Sequence, residues 1–223
     1  MRFADRTAAG EQLAERLAGL LPELVGRAAD RGRPQVLALP RGGVPVGRPV
    51  ADRFGCPLRL LLVRKLGVPG HPELAMGAIA AIGDDLRTVR NRDVVDHAGI
   101  RSRVWERVWE RERAELQRRG TGFADWIAPA PNGDPVVLID DGLATGATMR
   151  AAVAAVREAG AGPITAAVPV ASVQAISDLE RDDVTVVALS RPDPLEAVGA
   201  AYRDFHQLDD AEVLAELRSG TVT

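Results

Sequence analysis

An α/β fold with a central, mostly parallel sheet flanked by helices follows from two features of this 223-residue sequence. The first is a set of short runs that are apolar nearly throughout: "QVLAL" (35–39), "LRLLLV" (58–63), "VVLI" (136–139), "ITAAVPV" (164–170) and "VTVVAL" (184–189). Strands without polar alternation are buried on both faces, as in a parallel sheet between helix layers. The second is that segments of helical spacing separate most of these runs, giving a repeated β-α-β order. No internal repeat or low-complexity segment competes with that reading.

Taken in order, residues 7–31 place Leu13, Leu17, Leu20, Leu21 and Leu24 at helical spacing, with Pro22 marking a kink or restart. Strand 35–39 ends at "PRGG", and residues 44–54 read as a helix that tolerates Pro45 in its first turn. After strand 58–63, "RKLGVPGHPELAMG" (64–77) carries three glycines and two prolines and is expected to be a long, mobile loop. "AIAAI" (78–82) and "RTV" (87–89) read as a short strand pair across the turn "GDD". Residues 93–119 are charged and helical. Val104, Trp105, Val108 and Trp109 form one apolar stripe, and Glu106, Arg107, Glu110, Arg111, Glu112 and Arg113 cover the rest. Residues 120–135 read as a linker, and helices at 148–159 and 172–180 complete the alternation.

Composition narrows the function. With 46% hydrophobic and 26% charged residues, the chain can bury one large core, or at most two small ones. A net charge of −3 argues against broad nucleic-acid binding. Cys56 is the only cysteine, and His71, His97 and His206 lack metal-ligand spacing, so neither a disulfide framework nor a zinc cluster is expected. No apolar signal core opens the chain and no apolar run reaches spanning length, which makes a cytoplasmic protein the expectation. Lys65 is the single lysine among 28 basic residues. Either that is an accident of composition, or the position requires a compact ammonium rather than a planar fork.

Three strand ends carry the chemistry, and in open α/β sheets ligands sit at such ends. Asp140 and Asp141 close strand 136–139. Two neighbouring acceptors suit the vicinal hydroxyls of a ribose, or a magnesium ion with its waters. The small residues from Gly142 to Thr148 then lead into a helix N-terminus, where free N–H groups bind a phosphate and Thr145 and Thr148 add hydroxyls. The order of acids, loop and helix describes a ribose bearing a 5′-phosphate. No Gly-Lys-Ser/Thr ends the loop and G-x-G-x-x-G is absent, so neither a nucleotide P-loop nor a dinucleotide fingerprint is present. At the second strand end, Gly42 and Gly43 follow Arg41, a turn able to approach an anion and offer it a guanidinium. The third is Arg64–Lys65 with the loop behind it; His71 and Glu73 in that loop read as solvated residues rather than catalysts.

"VVLIDDGLATGAT" resembles the phosphoribosyl-diphosphate motif of the type I phosphoribosyltransferases. The resemblance covers about residues 35–190. It implies a single domain over 1–223, with a helical arm inserted at about 91–120 and a hood made from the termini. It implies that Asp140 and Asp141 hold the ribose hydroxyls, and Mg2+ mainly through ligand and waters. Ala144, Thr145, Gly146, Ala147 and Thr148 would hold the 5′-phosphate, with Gly142 also at the substrate. "LPRGG" resembles the family's pyrophosphate loop, with a cis peptide expected at Pro40–Arg41. Arg64 and Lys65 resemble the basic base of a closing catalytic loop. Arg41, Arg64 and Lys65 are therefore the expected catalytic residues, and Gly42 and Gly43 are expected at the substrate.

The expected reaction transfers the 5-phosphoribosyl group from phosphoribosyl diphosphate to a nitrogen acceptor, expected to be a nucleobase, with release of pyrophosphate and a role in nucleotide salvage. "AVGAAYRDFHQL" (197–208) distantly resembles the tail of purine-salvage members, which makes Tyr202 and Phe205 candidates for the acceptor base, or for packing. Ala144 departs from members acting on 6-oxopurines, which carry aspartate there; adenine-type members have alanine. The acceptor base stays open. The arm fits against the core or against a second copy in a homodimer. A regulator that only senses phosphoribosyl diphosphate, and a phosphosugar hydrolase or phosphorylase, are the alternatives. Arg41, Lys65 and a lid favour the enzyme, because sensing alone needs no closing loop.

Overall fold

In the computed structural model, which describes residues 2–20 and 34–220 (side chains of 72 and 73 excepted), five strands form one parallel sheet. They are β1 (Gln35–Ala38), β2 (Leu58–Leu60), β6 (Val136–Ile139), β7 (Ile164–Val170) and β8 (Thr185–Ser190), in the order β2-β1-β6-β7-β8. Residue pairs Val36↔Val137, Val137↔Thr165 and Thr165↔Thr185 fix the register across the middle. The chain winds one way from β1 to β2 and the other way from β6, so the crevice at the carboxyl ends of β1 and β6 is the switch point.

Helices cover both faces. On one side, α1 (Arg6–Ala18) and α2 (Gly43–Phe54) bury Leu13, Leu17, Val46 and Val50 with Val36 and Ala38. On the other, α5 (Ala147–Glu158) and α6 (Val173–Arg181) bury Met149, Val153 and Leu179 with Leu37 and Leu138. Odd and even residues of β1 thus serve opposite cores, which is why "QVLAL" has no polar alternation. The α1 helix starts at the Asp5 cap, whose side chain accepts from the Ala8 N–H at 2.8 Å. Leu21, Pro22 and Leu24 of the expected 7–31 helix lie outside the described residues.

The expected loop at 64–77 is corrected. Strand 58–63 splits at Leu61, and β3 (Leu62–Val68) pairs antiparallel with β4 (His71–Ile82) in a second, three-stranded sheet completed by β5 (Asp85–Arg90). Only Pro69–Gly70 remains as a turn, with Gly70 at φ 84°. Of the glycines that read as breakers, Gly70 makes the turn and Gly77 is a contact point. A Cβ on Gly77 would strike Trp105 and the Val89 carbonyl. The burial of Leu62, Leu66, Met76 and Ile79 drives the pairing that local sequence conceals.

The charged segment forms α3 (Arg92–His97) and α4 (Ser102–Gly120), and α4 lies on this second sheet. Trp109 donates its Nε1–H to Thr88 Oγ1 at 3.0 Å, and Arg90 lies over the Trp105 ring at 4.8 Å. The arm therefore packs on the chain's own hairpin. Glu112, expected on the solvated side, is only 6% exposed. The linker 120–135 contains a 3-10 turn (Ala124–Trp126) and buries Phe123 and Ala128. At the other end, Phe3 bridges to Tyr202, and α7 (Asp210–Ser219) docks on α2, with Val213 and Leu217 in the same core cluster. No helix among the described residues is long and apolar enough to cross a membrane.

Candidate active site

Strand β6 delivers Asp140 and Asp141 to the crevice. Asp140 Oδ1 accepts from the Asp141 N–H at 2.9 Å, and Asp141 Oδ2 accepts from Arg6 Nε at 2.9 Å. Tyr202 donates its hydroxyl to the Asp141 carbonyl at 2.6 Å. Burial and the neighbouring Asp141 charge push the Asp140 carboxyl well above the usual range. Burial also raises Asp141, and the Arg6 guanidinium opposes that rise. Among the described residues no three His, Cys, Asp or Glu side chains are grouped to hold a metal.

The loop after the acids is held open at one edge and closed at the other. Gly142 packs where a Cβ would strike Val198 and Val170, and the Leu143 N–H bonds to the Val170 carbonyl at 2.9 Å. Ser172 Oγ donates to the Ala144 carbonyl at 2.7 Å. Gly146, at φ 67°, is the N-cap of α5 and offers no side chain, while Ala144, Thr145 and Thr148 are exposed. The first N–H groups of α5 thus meet little beyond Thr145 Oγ1, which accepts weakly from Ala147 at 3.4 Å. Such an end is electropositive and suited to an anion.

The turn after β1 reaches the same point. The Pro40–Arg41 peptide is cis, and the Gly43 N–H returns to the Leu39 carbonyl at 3.0 Å. Gly42 lies directly against the Asp141 carboxylate, so a Cβ there would collide with it. Gly43 is equally close to the Ile139 carbonyl and Asp140. Gly42→Ala is therefore expected to push Asp141 off Arg6. It should destabilise the fold by about 1–3 kcal/mol through overpacking, read as a lower melting temperature in a thermal melt. Arg41 donates to the Leu208 carbonyl at 2.7 Å and pairs with Asp210 at 2.9 Å. Both side chains of that pair are about half exposed, at 42% and 59%, which limits it to about 1 kcal/mol or less.

Arg64 and Lys65 separate. Arg64 turns to the arm, donating from Nε and Nη2 to Glu112 Oε2 at 2.9 and 2.6 Å, while Arg111 donates to Glu112 Oε1 at 2.9 Å. Burial acts to raise the Glu112 pKa, and the hydrogen bonds from Arg64 and Arg111 outweigh it, leaving the carboxyl below its usual value. The pleat puts Lys65 on the opposite face of β3 from Arg64. Val63 shares that face and packs in the core built by α5. No side-chain partner engages Lys65 among the described residues. Arg64, Pro40 and Thr148 line a small gap of about 40 Å³, which brings the hairpin, the β1 turn and the α5 N-terminus together.

A larger cleft of about 420 Å³ opens beside Gly42, lined by Arg6, Arg41, Arg119, Phe205 and His206 among others. Tyr202 is 1% exposed and serves the core between Phe3 and Phe205. Phe205 stacks on Tyr202 at 5.0 Å with the Arg6 guanidinium 3.8 Å from its ring centre. Phe205 thus borders the cleft with its ring already engaged. Two residues escaped the sequence reading, Arg6 and Glu112. Their charges were visible, but their partners lie 135 and 48 positions away.

Comparison with known proteins agrees with this architecture. The crystal structure of TT1426 from Thermus thermophilus superimposes with a TM-score of 0.83 and 41% identity, covering 98% of this chain and 99% of that one. A Mycobacterium tuberculosis H37Rv protein with a provisional phosphoribosyl transferase name is 43% identical over 216 residues, or 96% of this chain. The chain spans about half the length of that relative, 46%. The family model described as phosphoribosyl transferase domain matches residues 5–203. The chain belongs to the phosphoribosyl transferase family.

Proposed function

We propose that this chain transfers the 5-phosphoribosyl group of phosphoribosyl diphosphate to a nitrogen nucleophile, probed first with nucleobases, and releases pyrophosphate. The observation that carries the reading is the contact of Gly42 with the Asp141 carboxylate. It joins the turn suited to a diphosphate to the acids suited to a sugar diol, within one crevice. Asp140 and Asp141 take the ribose hydroxyls. The N–H groups and hydroxyls of Ala144, Thr145, Gly146, Ala147 and Thr148 take the 5′-phosphate. Arg41, with the Gly42 and Gly43 backbone, takes the diphosphate.

The nucleophile's lone pair attacks the anomeric carbon as the bond from that carbon to the diphosphate oxygen breaks. Lys65 meets the charge that grows on the departing oxygen, and Arg64 holds the hairpin to the arm through Glu112. Mg2+ supplies charge neutralisation on the diphosphate when bound. Two carboxylates at one point, without a third grouped beside them among the described residues, suit an ion that arrives on the ligand and keeps most of its waters. Ala144 gives the acceptor no carboxylate, which favours acceptors other than 6-oxopurines.

Incubating the protein with labelled phosphoribosyl diphosphate, Mg2+ and a panel of bases and amines tests the reaction. A labelled ribosylated acceptor is expected, and ribose 5-phosphate alone would mark a hydrolase instead. Asp210 offers a second check on Arg41. Asp210→Ala frees that guanidinium, and calorimetric titration should show pyrophosphate binding up to about fivefold tighter, given the worth of a half-exposed pair. An unchanged affinity would remove Arg41 from the diphosphate site.

A further inference from the structure

Arg6 sits in the first turn of α1, yet it is only 8% exposed. Its guanidinium joins three distant parts of the chain. Nε donates to Asp141 Oδ2 at 2.9 Å, Nη1 donates to the His206 carbonyl at 3.0 Å, and the Phe205 ring centre lies 3.8 Å away. The Tyr202 hydroxyl meanwhile holds the Asp141 carbonyl at 2.6 Å. Asp141 is therefore braced through side chain and backbone by both termini of the fold.

This bracing divides the four carboxylate oxygens of the acidic pair. Asp140 Oδ1 is taken by the Asp141 N–H and Asp141 Oδ2 by Arg6. One oxygen on each acid, Asp140 Oδ2 and Asp141 Oδ1, has no protein donor among the described residues. Two acceptors on adjacent residues match two adjacent hydroxyl donors. An unbraced Asp141 could rotate, because Arg6 is the side chain that holds its carboxylate.

We propose that Arg6 is a positioning residue for sugar recognition: it locks Asp141 so that the acidic pair presents one acceptor to each hydroxyl of a vicinal diol. The claim rests on the ribose reading above and adds a source of selectivity for ribose over deoxyribose. A merely structural arginine would affect folding and every ligand alike. A positioning arginine affects only the hydroxyl on Asp141, assigned as the 2-hydroxyl, the one that deoxyribose lacks.

The test titrates ribose 5-phosphate and 2-deoxyribose 5-phosphate into the full chain by calorimetry. Wild type is expected to prefer ribose 5-phosphate by about tenfold, the scale of one hydrogen bond to a charged acceptor. Arg6→Met should reduce that preference to about twofold or less while leaving 2-deoxyribose 5-phosphate affinity nearly unchanged. Arg6→Lys keeps the charge but reaches fewer of the three contacts, so it should show an intermediate preference. If Arg6→Met does not fold, Arg6→Lys carries the test. Full wild-type preference in a folded Arg6 variant overturns the proposal and leaves the ribose reading standing. No preference in the wild type removes the diol reading itself, and the role of Arg6 with it.

Discussion

With Asp140 and Asp141 both replaced by asparagine, phosphoribosyl diphosphate no longer raises the melting temperature, and its affinity falls by at least about 100-fold. Each carboxylate is assigned one hydroxyl, and a hydrogen bond to a charged acceptor is worth about 1.5–3 kcal/mol. The two single variants should split in the ligand-free protein. Burial and the adjacent Asp141 charge raise the Asp140 pKa, so the folded chain holds that proton more tightly than the unfolded chain does. Stability tied to it is present below the unfolded value and is lost as pH rises through the folded one. Asp140→Asn removes that loss and should raise the neutral-pH melting temperature, by roughly 2–4 °C for each kcal/mol recovered. Asp141→Asn also removes a carboxyl that burial raises, but it leaves Arg6 without its charged partner in a pair whose side chains are 10% and 16% exposed; that loss should dominate and lower the melting temperature. Differential scanning calorimetry with and without ligand reads both effects. Ligand stabilisation that survives the double substitution would sink the ribose assignment.

Lys65→Ala should lower turnover by about 100-fold, the scale for removing one preorganised charge from a developing anion, while ligand affinity changes little. The charge on pyrophosphate grows toward the transition state, so its partner acts mainly there. Lys65→Arg should rescue only in part, since a planar fork does not replace a point charge on a strand face that also packs Val63. Single-turnover kinetics beside equilibrium binding separate the two quantities. Unchanged turnover on an accepted acceptor would return the single lysine to an accident of composition.

How far the sequence led depended on the range of the interactions involved. Strands 136–139 and 164–170 appear in the structure with the expected bounds, because burial on both faces leaves a local signature in every residue. The order of acids, small residues and helix was also legible, since one continuous segment carries it. The 62–90 sheet was not. Pro69, Gly70 and Gly77 masked the pairing, and what stabilises it is burial beneath Trp105 and α4. Arg64 and Glu112 were both visible as charges, but nothing local marks them as partners. Arg6 was equally silent, because its role depends on a strand end 135 residues away. Tyr202 was legible as a candidate of either kind, and the structure gives it Phe3 and the Asp141 carbonyl as partners.

The most direct test of the central claim is a crystal structure of the chain soaked with ribose 5-phosphate. The account predicts density with the phosphate on the N–H groups of 144–148 and the ribose hydroxyls on Asp140 and Asp141. A ligand seated elsewhere at full occupancy, with the β6 crevice empty, would contradict it.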